Sequence, residues 1–189
     1  MDAFCQNMIA LVESVEDCLE KGRLLPCLML LYSGIDVVAG LERESGEGTK
    51  AAFVRWVAEY LLKVRLLPCT ALELYAARCG IVHAFTPESD LSRQGKARKV
   101  FYAWGTAKSD HLALASRALG RNDCVAIHIR ELIDAFRDAT VRYLNDIANS
   151  PERLARIKAR TGQWFTHMDQ DLLNRFLDVY TGRPPMKGE

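Results

Sequence analysis

One stretch decides what this chain can fold into. Residues 25–41 include Leu28, Met29, Leu30, Leu31, Ile35, Val37 and Val38, so a helix formed there is apolar on nearly every side. A helix with no polar face belongs inside a core or a bilayer. The longest unbroken apolar run, Leu24 to Tyr32, is nine residues and contains Pro26, which is too short for a membrane span. The expectation is a central buried helix, with Pro26 in its first turn where a missing N–H is harmless. Asp36 interrupts it.

Other helices are needed to cover this one, and the sequence supplies them. Residues 2–20 place Phe4, Met8, Leu11, Val12, Val15 and Leu19 on one face, and Gly22 ends the pattern. After a polar loop, Glu42 to Gly48, Thr49 is positioned to cap a third helix from Lys50 to about Val64. Pro68 opens a fourth, where Thr70 and Glu73 have the spacing of a capping box. It should run to about His83, with Pro87 stopping the chain soon after. The pentapeptide Arg-Leu-Leu-Pro-Cys occurs at 23–27 and again at 65–69, 42 residues later, as a duplicated helical hairpin or as shared helix-start chemistry. Short connections predict an up-down four-helix bundle over residues 1–86.

Residues 87–189 read differently, as an α+β extension. Lys99 to Trp104 and Cys124 to Ile129 have strand-like content and could pair as a small β-hairpin. Leu112 to Leu119 fits a short helix or a strand. Helices are expected over about 130–148, 151–160 and 172–179, with a frayed tail from Thr181. The cations Arg153, Arg156, Lys158 and Arg160 read as a solvated face.

Composition narrows the function classes. Apolar residues are 49% and charged residues 26% of 189, unlike a disordered chain. The net charge of +1 points to no partner, so nucleic-acid contact needs a local basic patch. Six cysteines lie at 5, 18, 27, 69, 79 and 124 with no Cys-x-x-Cys and no His-x3-His to complete a zinc site. No metal and no cofactor is expected. The first twenty residues carry five acids and no Lys or Arg, the wrong charge for a signal peptide. The expectation is a cytoplasmic protein with reduced, buried thiols. There is no Gly-x-Gly-x-x-Gly and no Walker A motif.

The sharpest motif is Tyr75-Ala-Ala-Arg78-Cys-Gly-Ile-Val-His83, an Arg-x4-His at the end of the fourth helix. Arg78 lies among Leu72, Leu74, Ala76, Ala77, Ile81 and Val82, and a buried cation needs a partner. Asp36 stands 42 residues before Arg78, matching the internal echo, and is expected to orient it. Tyr32 and Tyr75 read as core aromatics with one satisfied hydroxyl each. The simplest structural role for Arg78 and His83 is to satisfy carbonyls at the helix C-terminus.

A helical bundle with Arg-x4-His on its fourth helix resembles the HEPN superfamily (higher eukaryotes and prokaryotes nucleotide-binding domains), over residues 1 to about 86. The resemblance implies a metal-independent endoribonuclease of toxin or bacterial defence type, held in check by an antitoxin or other regulatory protein. It implies a homodimer that brings two motifs into one cleft, with Arg78 and His83 catalytic and Asp36 in support. It also leaves room for a non-catalytic nucleotide- or RNA-binding or dimerisation module, while a helical adaptor needs no such site. Two departures are visible. Cys79 follows the motif Arg where HEPN nucleases commonly have a polar residue, and Phe85 stands where many toxin members have a Tyr that is nucleotidylated.

Downstream, Arg93, Lys96, Arg98 and Lys99 interleave with Phe101, Tyr102 and Trp104 with no acid between them. Cations neutralise phosphates and aromatics stack on unpaired bases, so these four cations are candidate contacts for single-stranded RNA. A solvated loop leading into a core strand has the same composition. A second match, Arg121-x6-His128, runs from a turn into a strand and ranks below the first.

Overall fold

A computed structural model describes residues 2–161 and 170–181; the expected frayed tail beyond Thr181 lies outside them. The chain is mainly helical with one small sheet. Helix α1 is Asp2–Glu20, α2 Leu24–Leu41 and α3 Thr49–Trp56; α3 runs on through a π-helical segment, Val57–Leu61, into the single turn α4, Leu62–Val64. Then follow α5 (Ala71–Ala84), α6 (Asp90–Arg93), β1 (Lys99–Ala103), α7 (Ser109–Ala118), β2 (Cys124–His128), α8 (Ile129–Ala148), α9 (Pro151–Thr161) and α10 (Gln170–Thr181).

The local signals act largely where the sequence puts them. Gly22 closes α1 at φ +67, a left-handed angle natural to glycine. Thr70 caps α5 with a full capping box: its side chain accepts from Glu73 N–H while Glu73 accepts from Thr70 N–H at 2.8 Å. Thr49 does not cap. It is the first residue of α3 behind Gly48, which makes no side-chain cap bond. An Arg55 guanidinium tied to Glu47 and to the Glu42 carbonyl organises that loop instead.

Helix α2 is the centre of the core, with Leu31, Tyr32, Ile35 and Val38 fully buried. It is also long and apolar enough to cross a membrane, at a mean hydropathy of 1.9 over 18 residues, which the short unbroken run in the sequence concealed. Half of it is buried inside the protein. A stripe along one side, Met29, Ser33, Asp36, Val37 and Gly40, remains partly or fully exposed. At Gly34 an added Cβ would come within 2.7 Å of Leu11 and of Phe136, so α1, α2 and α8 meet there without room for a side chain.

The boundary at residue 86 does not divide the core. Leu132, Ile133, Phe136, Ala139 and Tyr143 of α8 join the same buried cluster as Trp56, Leu31 and Leu74. Trp56 lies 6.4 Å from Phe136, 6.0 Å from Tyr143 and 5.6 Å from Tyr60, ring to ring. The extension therefore completes the hydrophobic core that the first four helical segments begin.

The two strands pair in parallel, Lys99 with Cys124 through Ala103 with His128. Parallel strands cannot be joined by a tight turn and need a crossover, which α7 supplies. The expected hairpin is thus a β-α-β unit, and the ambiguous segment 105–123 contains its helix. The expected solvated face of α9 is also corrected. Arg153 and Arg156 both donate to the carboxylate of Glu42, which is 5% exposed, and Arg153 also donates to the Tyr60 hydroxyl at 2.8 Å.

Candidate functional site

Arg78 and Asp36 meet where α5 crosses α2. Arg78 Nε donates to Asp36 Oδ2 at 2.6 Å, and Nη2 lies 2.6 Å from the same oxygen in an ion pair. Arg78 Nη1 lies 2.8 Å from Nε2 of His83. A guanidinium has no acceptor, so His83 Nε2 accepts and the ring proton sits on Nδ1. Nε and Nη1 each commit one N–H in this way, which leaves three of the five guanidinium N–H groups, those of Nη2 beside Asp36 included, for another acceptor. Burial opposes the charge of Arg78, but the hydrogen bond and charge of Asp36 outweigh it, with Cys79 adding to them, and the guanidinium is held more firmly protonated than usual.

The pair is mostly enclosed, with side chains 15% and 21% exposed, while His83 stands on the surface. Asp36 Oδ1 is buried without a hydrogen-bond partner among the described residues. Tyr75 packs edge-on against Phe53 with ring centroids 5.4 Å apart, and its phenol is pushed up by burial and then by Cys79. Tyr32 does not reach the site; its hydroxyl shares a 2.6 Å hydrogen bond with Tyr102. The simple capping role for Arg78 and His83 is filled by backbone groups: Phe85 N–H reaches the Ile81 carbonyl and Thr86 N–H the Gly80 carbonyl, at 3.3 and 3.2 Å.

The four cations read as an RNA surface are largely neutralised. Arg98 donates to Glu73, which is 5% exposed, and to the Pro68 carbonyl. Lys99 lies between Glu88 and Asp123, at 2.7 and 3.2 Å. Arg93 pairs with Asp90. Lys96 is exposed and makes no ion pair among the described residues. A cation run without acids along the sequence thus meets acids brought from three other places. Of the aromatics, Tyr102 is turned into the core, Phe101 carries the Arg121 guanidinium 5.9 Å above its ring, and Trp104 is exposed.

The second Arg-His match does not form a site. Arg121 lies before β2, against Phe101. His128 ends β2 and caps α8, its Nδ1 accepting from Arg130 N–H at 3.1 Å.

Among the described residues no group of three or more His, Cys, Asp or Glu is placed to hold a metal ion. The six cysteines are free, and burial pushes the thiols of Cys27 and Cys69 up to about 11 and about 12. An apolar cavity of about 450 Å³ opens between the start of α2, the end of α5 and β1; no motif in its lining residues signals it. Compared with protein-family models, with curated proteins and with solved structures, the chain matches none.

Proposed function

We propose that the chain is a metal-independent endoribonuclease of HEPN type acting on single-stranded RNA in the cytoplasm. The observation that carries this reading is the Arg78 guanidinium, held by Asp36 on one side and in contact with the exposed His83 on the other. When the substrate phosphate takes over the Arg78 Nη1 N–H, His83 Nε2 is released and takes the proton of a 2′-hydroxyl, and the 2′-oxygen attacks phosphorus. The bond to the 5′-oxygen breaks, and that oxygen receives a proton, leaving a 2′,3′-cyclic phosphate. The remaining N–H groups of Arg78 hold the non-bridging oxygens as charge builds.

A homodimer supplies the second His83 as the acid for the leaving oxygen. The exposed stripe of α2 suits the contact, because Ser33 and Gly40 permit close approach beside Met29 and Val37, and it carries Asp36 to the same face. The test is cleavage of single-stranded RNA in excess EDTA, with analysis of the ends. Cyclic phosphate products, lost by about 10²–10⁴-fold in rate on His83→Ala, are the expected result. Cleavage that requires Mg²⁺, or that persists in His83→Ala, refutes it.

A second reading is favoured by the carboxylates that occupy Arg98 and Lys99. It is a non-catalytic dimerisation or nucleotide-binding module, possessing the helical site without an RNA track. A folded dimer that cleaves nothing under any condition selects it.

A further inference from the structure

Phe85 follows α5 in the left-handed region, at φ 52 and ψ 34, and is the one non-glycine residue with positive φ among the described residues. That position at a helix end is usually glycine, because a Cβ is strained there. Phe85 is also 66% exposed, so burial of the ring does not offset the strain. A bulky residue in such a conformation points to a role outside packing.

Phe85 stands at the wall of the 450 Å³ cavity together with Leu25, Ile81, Thr86, Phe101 and Tyr102. Three of these six side chains are aromatic rings. The Tyr102 hydroxyl is already bonded to Tyr32, so Tyr102 offers its ring. Thr86 Oγ1 accepts from Glu88 N–H, which leaves its own O–H to donate. The Arg121 guanidinium lies over Phe101 and places a cation beside the apolar wall. Apolar walls with a few fixed polar groups are the usual form of a small-molecule site. Ile81 stands three positions after Arg78, one turn along the same side of α5, so the cavity wall adjoins the face that carries the guanidinium.

We infer that this cavity seats an unpaired nucleobase of the RNA strand whose phosphate meets Arg78 and His83. A flat uncharged ring suits the aromatic walls, the Thr86 hydroxyl reads its edge, and Arg121 faces the adjoining phosphate. The inference deepens the ribonuclease reading and rests on it for the position of the phosphate.

The test uses the full chain and a short all-2′-O-methyl RNA carrying one 2-aminopurine, which cannot be cleaved because no 2′-hydroxyl is free. Stacking should quench the 2-aminopurine fluorescence. Replacing that base by an abasic unit should weaken binding by about 5- to 100-fold. Phe85→Gly should weaken binding to the same degree, while its melting temperature stays at or above that of the parent, since glycine takes this φ freely. Equal binding with and without the base, an unaffected Phe85→Gly, or displacement of the RNA by a medium-chain fatty acid at lower concentration than by a mononucleotide overturns the inference. Ordinary RNA cleaved without these base effects removes the base site and keeps the ribonuclease. Base binding without any cleavage of ordinary RNA keeps the base site and removes the ribonuclease.

Discussion

Asp36 offers Arg78 only one of its two carboxylate oxygens: Oδ2 accepts from Nε and lies 2.6 Å from Nη2, and Oδ1 is buried with no partner among the described residues. The ion pair therefore fixes the guanidinium without using up its end. Asp36→Ala leaves an enclosed cation with only His83 and Cys79 beside it and should lower stability by about 2 kcal/mol, below the range for fully buried pairs because both side chains keep some exposure. Asp36→Asn should lower it by about 1 kcal/mol. Urea denaturation of both variants checks the order. Arg78→Lys should lose cleavage as completely as Arg78→Ala, since an ammonium cannot hold Asp36 and a phosphate in one plane.

Arg98 and Lys96 should separate cleanly. Arg98→Ala strips the main partner from the buried carboxylate of Glu73, so it should act on stability, by about 1–3 kcal/mol. Burial alone raises the Glu73 carboxyl, yet Arg98 and Thr70 together hold it below the usual value. A depressed folded value contributes stability above the unfolded value, and that contribution is lost as pH falls. Arg98→Ala should therefore narrow the stability gap between pH 7 and pH 3. Lys96→Ala should leave the melting temperature unchanged and flatten the salt dependence of RNA binding by about one counterion.

The 42–48 loop has its own acid sensitivity. Glu47 accepts from Arg55 and from Glu44 N–H, and the Arg55 bond in particular pulls its carboxyl down to about 2. Its contribution is complete above the ordinary glutamate value of 4.5 and disappears as pH falls toward 2. Melting curves between pH 5 and pH 2 should show a smaller loss for Glu47→Gln than for the parent. An identical loss in both would exclude a part for Glu47.

Two glycines should respond differently to alanine. At Gly80 a Cβ would lie 2.4 Å from the Thr86 carbonyl oxygen and 2.6 Å from that of Glu88, both backbone atoms. At Gly34 the obstacles are the tips of Leu11 and Phe136. Gly80→Ala should cost about 1–3 kcal/mol and shift the strand-ward loop that follows His83. Gly34→Ala should be milder, because side-chain ends can turn away and alanine gains up to about 1 kcal/mol in helix propensity. Calorimetric melting temperatures of the two variants give the comparison.

The elements were more legible than their partners. Helix starts and stops are written in adjacent residues, such as Thr70 with Glu73 or Gly22 after α1, and local chemistry places them well. The Asp36–Arg78 contact was legible because a lone acid in an apolar helix and a lone Arg in another have few ways to be satisfied. Strand direction was not, because 99–103 and 124–128 have the same content whether they pair parallel or antiparallel; the intervening α7 decides. The neutralised cations were hidden for a similar reason. Glu73, Glu88 and Asp123 reach Arg98 and Lys99 only after folding. The π-helical turn at Val57–Leu61 has no signal in its own residues; it coincides with Tyr60 stacking on Trp56 and standing 5.4 Å edge-on to Tyr143, whose partner position lies far down the chain.

The shared core sets an order on biosynthesis. When residue 86 has left the ribosome, Trp56 and Leu31 have their local neighbours but lack α8, and the chain must be extended past Tyr143 and Ile147 before those surfaces are covered. At common translation rates that interval lasts roughly 3–12 s. During it the nascent helices present uncovered apolar surface to chaperones and proteases, so a messenger truncated between residue 86 and α8 yields a degradation substrate with an intact Arg-x4-His sequence and no folded site to display it.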